Sequence, residues 1–151
     1  MLFKGAIPMN IKKTTDIDSQ IYKDSRQIRE EVFMKEQNVP VEIEIDDNED
    51  KATHYTGYTD NEHVATLRVL VLDKQTAKLQ RIATLKEHRK NGYSKTLINH
   101  VLDDLKGQGL KEVVMGAQSY KIPYYESLGF EVVSEEFMEA NIPHKTMSIT
   151  L

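Results

Sequence analysis

The segment over residues 80–95 carries residue types whose spacing fits a chemical task. A strand-like run ends there in a polar loop, and a helical pattern begins near Gly92. The free N–H groups in the first turn of a helix carry partial positive charge, so they attract anions. Arg89, Lys90 and Lys95 add three cations, and Gly92 lets a phosphate approach the backbone. The segment therefore predicts a pyrophosphate site.

The same spacing also fits an ordinary strand–turn–helix with a solvated basic loop. The segment has neither the G-x-x-x-x-G-K-[ST] pattern of a P-loop nor the three glycines of a dinucleotide-binding turn. Spacing alone leaves both interpretations open.

Composition restricts the other chemistries. The 151 residues include no cysteine, which excludes disulfides, cysteine nucleophiles and thiolate metal ligands and is compatible with a cytoplasmic location. Five scattered histidines lack metal-ligand spacing, so we expect no metal. The net charge of -4 argues against a nucleic-acid partner, and no apolar run approaches the ~20 residues that a membrane span needs.

Several further segments make the chain similar to one known family. Arg89-x-x-Gly92-x-Ser94 resembles the Q/R-x-x-G-x-G/A signature of the GNAT superfamily of N-acetyltransferases, although Ser94 stands where the family usually has Gly or Ala. The chain from about Ile11 onward also resembles the YjcF/ElaA-like branch of that superfamily. The segments that carry this resemblance are REEVF (29–33), EQNVP (36–40), EID (44–46), ATH (52–54), AQ (117–118), YYESLGF (124–130) and IPH (142–144).

The resemblance implies acetyl-CoA (coenzyme A) as co-substrate and no metal. In the family, the strand before the pyrophosphate loop splays from its neighbour and pairs its backbone with the pantetheine arm. That implies backbone contacts from Ile82, Ala83, Thr84 and Leu85, with Gln118 hydrogen-bonding the same arm. The pyrophosphate would lie against Arg89, Lys90, Asn91, Gly92, Tyr93, Ser94 and Lys95.

Tyr125 matches the family tyrosine that lies near the thioester sulfur. A phenol, with a pKa of about 10, can protonate a leaving thiolate or hold it by a hydrogen bond. Taken without the motif, Tyr125 would fit a core aromatic with a solvated hydroxyl better than a catalytic acid, and the motif reverses that preference.

The attacking amine must lose a proton, so a carboxylate or histidine is expected near the sulfur. We place Glu44 first, since it lies in the family-like E-x-D segment, and keep Asp46, His54 and His144 as alternatives. His144 also fits an anchor for the last strand.

The segment from Glu42 to Asp50 has no apolar periodicity and is rich in carboxylates, which predicts a solvated loop. Such a loop would attract a cationic amine. Arg68 and Arg81 lie inside strand-like runs, where a charge must be paired or reach solvent, so we expect them to be structural residues beside the acidic segment.

Hydrophobic periodicity predicts the elements. We expect helices within 17–35, with a second helical stretch from Asp24, then from about 92 to 107 and over 122–128. Strands are expected over 10–14, 54–59, 62–72, 77–85, 113–115, 130–133 and 146–150. The order and the resemblance together imply an α/β (mixed α+β) GNAT-like fold: a central mixed, mostly antiparallel sheet of six to seven strands with helices on both faces.

We interpret residues 9–151 as a single N-acetyltransferase domain and residues 1–8 as a leader or expression-derived segment. The predicted function is acetyl transfer from acetyl-CoA to the primary amine of a small molecule, by direct attack in a ternary complex, and the protein could form a homodimer. Two alternatives are an acyl-CoA-binding regulatory module without transfer and a nucleotide-binding domain unrelated to coenzyme A.

Overall fold

The computed structural model describes residues 8–151 of the chain. The predicted leader falls outside them, apart from Pro8, so that prediction and the domain division stay open. In chain order the elements are β1 Asn10–Thr14, α1 Gln20–Arg29, α2 Val41–Glu44, β2 Thr53–Thr59, β3 Glu62–Val71, β4 Thr76–Thr84, α3 Tyr93–Gly107, β5 Glu112–Gln118, α4 Ile122–Ser127, β6 Glu131–Val132, β7 Phe137–Glu139 and β8 Ile142–Thr150.

The strands form one sheet in the order β1-β2-β3-β4-β5-β8-β6, with β7 also paired to β8. All neighbours are antiparallel except β4 and β5, which are parallel. The predicted fold class is confirmed, but within residues 8–151 the sheet has eight strands rather than six to seven. The additional strand, β7, turns into β8 through Ala140 and Asn141, both with positive φ as two-residue hairpin turns require. No hydrophobic alternation marks it.

β4 and β5 separate part-way along their length. Their pairing runs only from Thr76 opposite Glu112 to Leu79 opposite Met115, whereas β4 continues to Thr84 and β5 to Gln118. Arg81 has a φ of +57°, and the pairing of β3 with β4 shifts register at this level, as a β-bulge does. The bulge bends β4, and a gap opens between the two strands.

Helices cover both faces of the sheet. Successive side chains of a strand alternate between faces. On β3, Thr66 contacts Ser25 of α1 at 2.7 Å, while Leu67 belongs to the apolar core that includes Leu97 and Val101 of α3. None of the helices within residues 8–151 is long and apolar enough to cross a membrane.

The first helix differs from its predicted form. Ser19 caps its start by accepting a hydrogen bond from the Tyr22 N–H, and no new helix begins at Asp24. Instead α1 runs into a π-helical stretch, Glu30–Glu36. Val32 and Phe33 of that stretch pack with Val39 and with Ala83 of β4 in a small second core. This packing places the stretch beside the gap.

Candidate active site

A cavity of about 460 Å³ lies where β4 and β5 separate. Its lining draws on five parts of the chain: the π-helical stretch, α2 and the turn after it, the ends of β4 and β5, α4, and the β7–β8 hairpin. Of the predicted site residues, it brings together Glu44, Ile82, Gln118 and Tyr125.

Tyr125 lies on the inward face of α4 and is 5% exposed. Its ring meets Tyr124 and Phe130 edge to face, with centroid separations of 5.3 and 6.2 Å. Burial raises the pKa of the Tyr125 hydroxyl above its ordinary value. The hydroxyl therefore stays protonated at neutral pH and can donate to an anion formed in the cavity.

Glu44 ends α2 and is 3% exposed. Its Oε2 accepts a hydrogen bond from Arg29 Nε at 2.7 Å and lies 3.1 Å from Arg81 Nε. Burial raises the pKa of Glu44, against the lowering effect of the two arginines. A carboxyl with a raised pKa has a greater affinity for protons, which suits a proton acceptor.

The acidic segment is only in part the solvated loop that its composition predicted: Glu42, Asp47 and Asp50 are exposed, whereas Glu44 and Glu49 are buried. Glu49 is 7% exposed and receives hydrogen bonds from Arg29 at 2.7 and 3.0 Å and from Arg68 at 2.8 Å. Arg68 also donates to Asp46 at 2.7 Å. Buried charges require such partners, so the arginines draw the segment inward.

The predicted position of Arg68 and Arg81 beside the acidic segment is confirmed. Arg81 donates to the Glu44 carbonyl and lies 3.2 Å from Asp46. Arg29, Arg68 and Arg81 form ion pairs with three carboxylates of the segment, those of Glu44, Asp46 and Glu49. This pairing reduces the attraction of the region for a cationic amine.

The three alternative proton acceptors, Asp46, His54 and His144, differ in their position relative to the cavity and in their hydrogen-bond partners. Asp46 lines the cavity, but both of its oxygens accept hydrogen bonds from Arg68. His54 is buried outside the cavity lining, with Nε2 2.7 Å from the Glu49 carbonyl, so it is a packing residue. His144 lines the cavity, with Nδ1 bound to the Ile142 carbonyl at 2.6 Å and Nε2 3.6 Å from Glu139.

The predicted pyrophosphate loop lies between β4 and α3. Gly92 precedes the helix with a φ of +77°, and the first helical hydrogen bond runs from the Thr96 N–H to the Gly92 carbonyl. The preceding first-turn N–H groups, those of Tyr93, Ser94 and Lys95, have no partner within the helix. The Tyr93 side chain is buried in the core, so only its backbone can serve a ligand.

Other residues of the loop are held by protein contacts. Arg89 forms a two-pronged ion pair with Glu36 at 2.7 and 2.6 Å, and its Nε donates to the Thr84 carbonyl at 3.0 Å. Asn91 donates to the His88 carbonyl, and Lys90 is exposed with a φ of +67°. The Arg89 guanidinium thus fixes the loop to the π-helical stretch.

The ends of β4 and β5 place different side chains at or near the cavity. Ile82 lines its wall, while Ala83 and Leu85 pack in the second core. The Thr84 Oγ1 is buried and has no hydrogen-bond partner among residues 8–151. Gln118 donates to Gln37 at 2.9 Å across the cavity.

Sequence reasoning missed three residues of this region: Glu36, Gln37 and Lys121. Their positions depend on the approach of the π-helical stretch and α4 to the gap, and no local pattern signals that approach. Within residues 8–151, no group of three His, Cys, Asp or Glu side chains is placed to hold a metal ion.

Comparison with known proteins decides the family. The model of the acetyltransferase (GNAT) domain matches residues 18–151. This chain belongs to the GNAT acetyltransferase family. Its chemistry is therefore acyl transfer, and the predicted superfamily is confirmed.

Individual relatives agree with the predicted branch. YjcF of Bacillus subtilis, an uncharacterized N-acetyltransferase, is 38% identical over 83% of this chain and 89% of its own length. Protein ElaA of Escherichia coli is 31% identical over 86% of this chain and 87% of its own, and its crystal structure superposes with a TM-score of 0.82, covering 93% and 99% of the two chains.

A more distant solved structure shares the fold. It is a GNAT family acetyltransferase from Elizabethkingia anophelis with acetyl-CoA bound, 15% identical, with a TM-score of 0.68 and coverage of 95% and 98%.

Proposed function

We propose that this protein transfers an acetyl group from acetyl-CoA to the primary amine of a small molecule, by direct attack in a ternary complex. The observation that carries the proposal is the gap between β4 and β5, which holds a cavity lined by Tyr125 and lies at the end of the strand that leads into the loop before α3. The acetyl-CoA complex of the fold neighbour from Elizabethkingia anophelis supports the choice of cofactor.

The separated strand ends suit the pantetheine arm. Backbone groups of Ile82, Ala83 and Thr84 lie past the last pair of β4 with β5, so amide groups on that edge need another partner. The Thr84 Oγ1 is also buried without a hydrogen-bond partner among residues 8–151, so it too needs a group from the arm to bond with. Leu85 follows the last residue of the strand, and Gln118, at the end of β5, could exchange its bond with Gln37 for the arm.

The loop and the first turn of α3 suit the pyrophosphate. The N–H groups of Tyr93, Ser94 and Lys95 point along the helix axis toward the loop, where the helix dipole favours negative charge. Lys90 and Lys95 supply mobile cations. Gly92 leaves open space at its Cβ position, and Arg89 and Asn91 hold the loop in shape.

Tyr125 and Glu44 are proposed for the two proton transfers. The co-substrate supplies an activated thioester. Glu44 takes a proton from the nitrogen of the amine, and the raised pKa of this carboxyl favours that step. The Tyr125 phenol is protonated at neutral pH, and it hydrogen-bonds the sulfur and donates its proton as the thiolate leaves. The chain has no cysteine to carry the acetyl group, which favours direct attack over a thioester intermediate on the enzyme.

An amine panel tests the proposal. Release of free coenzyme A thiol would be followed with acetyl-CoA and, in turn, amino sugars, polyamines, aminoglycosides, arylalkylamines and lysine peptides. We expect thiol release that depends on one class of amine, with acetylated amine formed in equal amount. Tight acetyl-CoA binding without turnover on any amine would instead indicate a regulatory module. Equal affinity for a free nucleotide would indicate a nucleotide-binding domain.

A further inference from the structure

Lys121 is a lysine in the cavity that the proposed chemistry does not use. It is the last residue of the 3-10 turn Ser119–Lys121 and immediately precedes α4, and it lines the same cavity as Tyr125. Residues four apart lie on one face of a helix, so Lys121 is placed one turn before Tyr125 on the cavity side.

The Lys121 amine is partly buried, yet no carboxylate in the described part of the chain pairs with it. No carboxylate among residues 8–151 lies within 4.0 Å of it, whereas Lys13 and Lys35 both form ion pairs at 2.8 and 2.7 Å. The nearest aromatic contact places Nζ 5.6 Å from the centroid of the exposed Tyr120 ring. An amine that is partly withdrawn from water without a counter-ion is less stable in its charged form.

The surroundings of Lys121 favour the neutral form of its amine, which is the form that nucleophilic attack needs. Burial lowers the pKa of the Lys121 amine, the positive charge of Arg89 lowers it further, and Glu36 opposes both. A lowered pKa raises the fraction of neutral amine, which is the nucleophilic form.

We propose that Lys121 accepts an acetyl group from acetyl-CoA, so that the protein acetylates itself within this cavity. The proposal rests on the function proposed above, because it requires acetyl-CoA in the gap. The neutral Lys121 Nζ attacks the thioester carbonyl, a C–N bond forms and the C–S bond breaks. The sulfur leaves with one proton as the free thiol, and the products are an N-acetyl-lysine and coenzyme A.

Acetylation would change the cavity. It removes one positive charge beside the loop that Arg89 fixes, and it adds an acetyl group to the wall near Tyr125. An acetylated enzyme would therefore have less room for an acceptor.

The test uses the full chain, isotopically labelled acetyl-CoA and no added amine, followed by peptide mass spectrometry. We expect label at Lys121 to accumulate at a rate that does not depend on protein concentration. Because the amine and thioester share one cavity, this rate should exceed that of exposed lysines by at least about tenfold. Tyr125→Phe should slow labelling at Lys121 and leave exposed lysines unchanged.

Two variants separate a specific reaction from background. Lys121→Arg keeps the charge and should abolish the fast label. Lys78→Arg is the matched control, since Lys78 lines the same cavity but lies where β4 and β5 are still paired, and it should leave the fast label in place.

Label spread evenly over exposed lysines would overturn the proposal. So would weaker acetyl-CoA binding in Lys121→Arg or Lys121→Gln without any label on the parent protein, because Lys121 would then be an anion-binding residue. Transfer to free amines with Lys121 unlabelled would overturn self-acetylation alone. Absence of both acetyl-CoA binding and amine transfer would overturn the proposed function together with it.

Discussion

At the scale of single residues, the proposed mechanism gives Tyr125 and Glu44, which line the same cavity, opposite proton-transfer roles. Both side chains are buried, and burial raises the pKa of each. The phenol is protonated at neutral pH with or without this shift, and the shift makes it a hydrogen-bond donor that gives up its proton less readily. For the carboxyl, the shift increases the affinity for a proton taken from the amine.

Tyr125→Phe should lower kcat by about 10²–10⁴-fold, since general acid catalysis contributes on that order. Affinity for acetyl-CoA should change little, because the ring and its contacts with Tyr124 and Phe130 are retained. Steady-state kinetics and calorimetric titration with acetyl-CoA measure the two effects. Unchanged turnover would rule out the acid role.

Glu44→Gln should remove the acidic limb of the pH–activity profile. The raised pKa of Glu44 means that the parent protein loses its base as the pH falls, at a higher pH than an ordinary glutamate would impose. Activity of the parent should therefore decline on acidification, while the residual activity of the variant stays flat. His144→Gln serves as the comparison: if this variant alone flattens the limb, His144 is the base.

At the scale of elements, the loop before α3 depends on a backbone conformation that favours glycine. Gly92 has a φ of +77°, and no atom lies within 4 Å of the place where a Cβ would be. A side chain there meets no steric obstacle, and only the left-handed conformation disfavours it.

Gly92→Ala should reduce the free energy of unfolding by about 1–2 kcal/mol, the cost of a left-handed alanine. It should also weaken acetyl-CoA binding, because the added methyl group stands where a phosphate would approach the backbone. Gly107→Ala is the control, since Gly107 lies in α3 with similar open space and ordinary φ. That change should leave binding unaltered; an equal loss of affinity in both variants would argue against the loop as the phosphate site.

The buried ion-pair network joins α1, the acidic segment and β3. Glu49 accepts hydrogen bonds from Arg29, Arg68 and the Tyr22 hydroxyl. Burial opposes its ionisation, but Arg29 outweighs that effect and lowers the pKa of Glu49. The network thereby holds Glu44 at the cavity wall.

Glu49→Gln should lower the free energy of unfolding by roughly 3–5 kcal/mol at neutral pH, the usual cost of breaking a buried pair. Because the pKa of Glu49 is lowered in the folded protein, its contribution is complete above the unfolded pKa of about 4.3. It declines as the pH falls toward the folded pKa. Urea titrations across this range should show the two proteins converging in acid. Glu31→Gln, in the exposed pair with Lys35, should show little change at any pH.

At the scale of the whole molecule, the gap interrupts the hydrogen bonding of the sheet. β4 and β5 are paired as far as Leu79 and Met115, and beyond those residues their facing edges are not paired with each other. A bound pantetheine arm would supply partners for the free ends of β4 and β5. Binding to the folded state alone raises stability by mass action.

Acetyl-CoA at about a hundredfold above its Kd should raise the free energy of unfolding by about 2.7 kcal/mol. The amide hydrogens of 80–84 and 116–118 should exchange more slowly in its presence, while those of β1, at the far edge of the sheet, keep their rates. Urea midpoints and hydrogen-exchange mass spectrometry measure these effects. Equal stabilisation by adenosine nucleotides without a pantetheine arm would contradict the proposed binding mode.

The sequence by itself determined the features that depend on local pattern. The strand–loop–helix at Gly92 follows from the change in hydrophobic periodicity, and the bounds of β1 and α3 agree closely with the predicted ones. The motif series around Arg89, Gly92 and Tyr125 resembles the family to which the chain belongs.

Only the tertiary structure decided the features that depend on residues far apart in the chain. The acidic segment had the composition of a solvated loop, yet Arg29 and Arg68, from other elements, bury Glu44 and Glu49. Similarly, Glu36 binds Arg89 across 53 positions of sequence. The sequence shows that a residue is charged but does not show which residue pairs with it. Whether a charged side chain is solvated, paired or catalytic depends on which opposite charges the fold brings within a few ångströms.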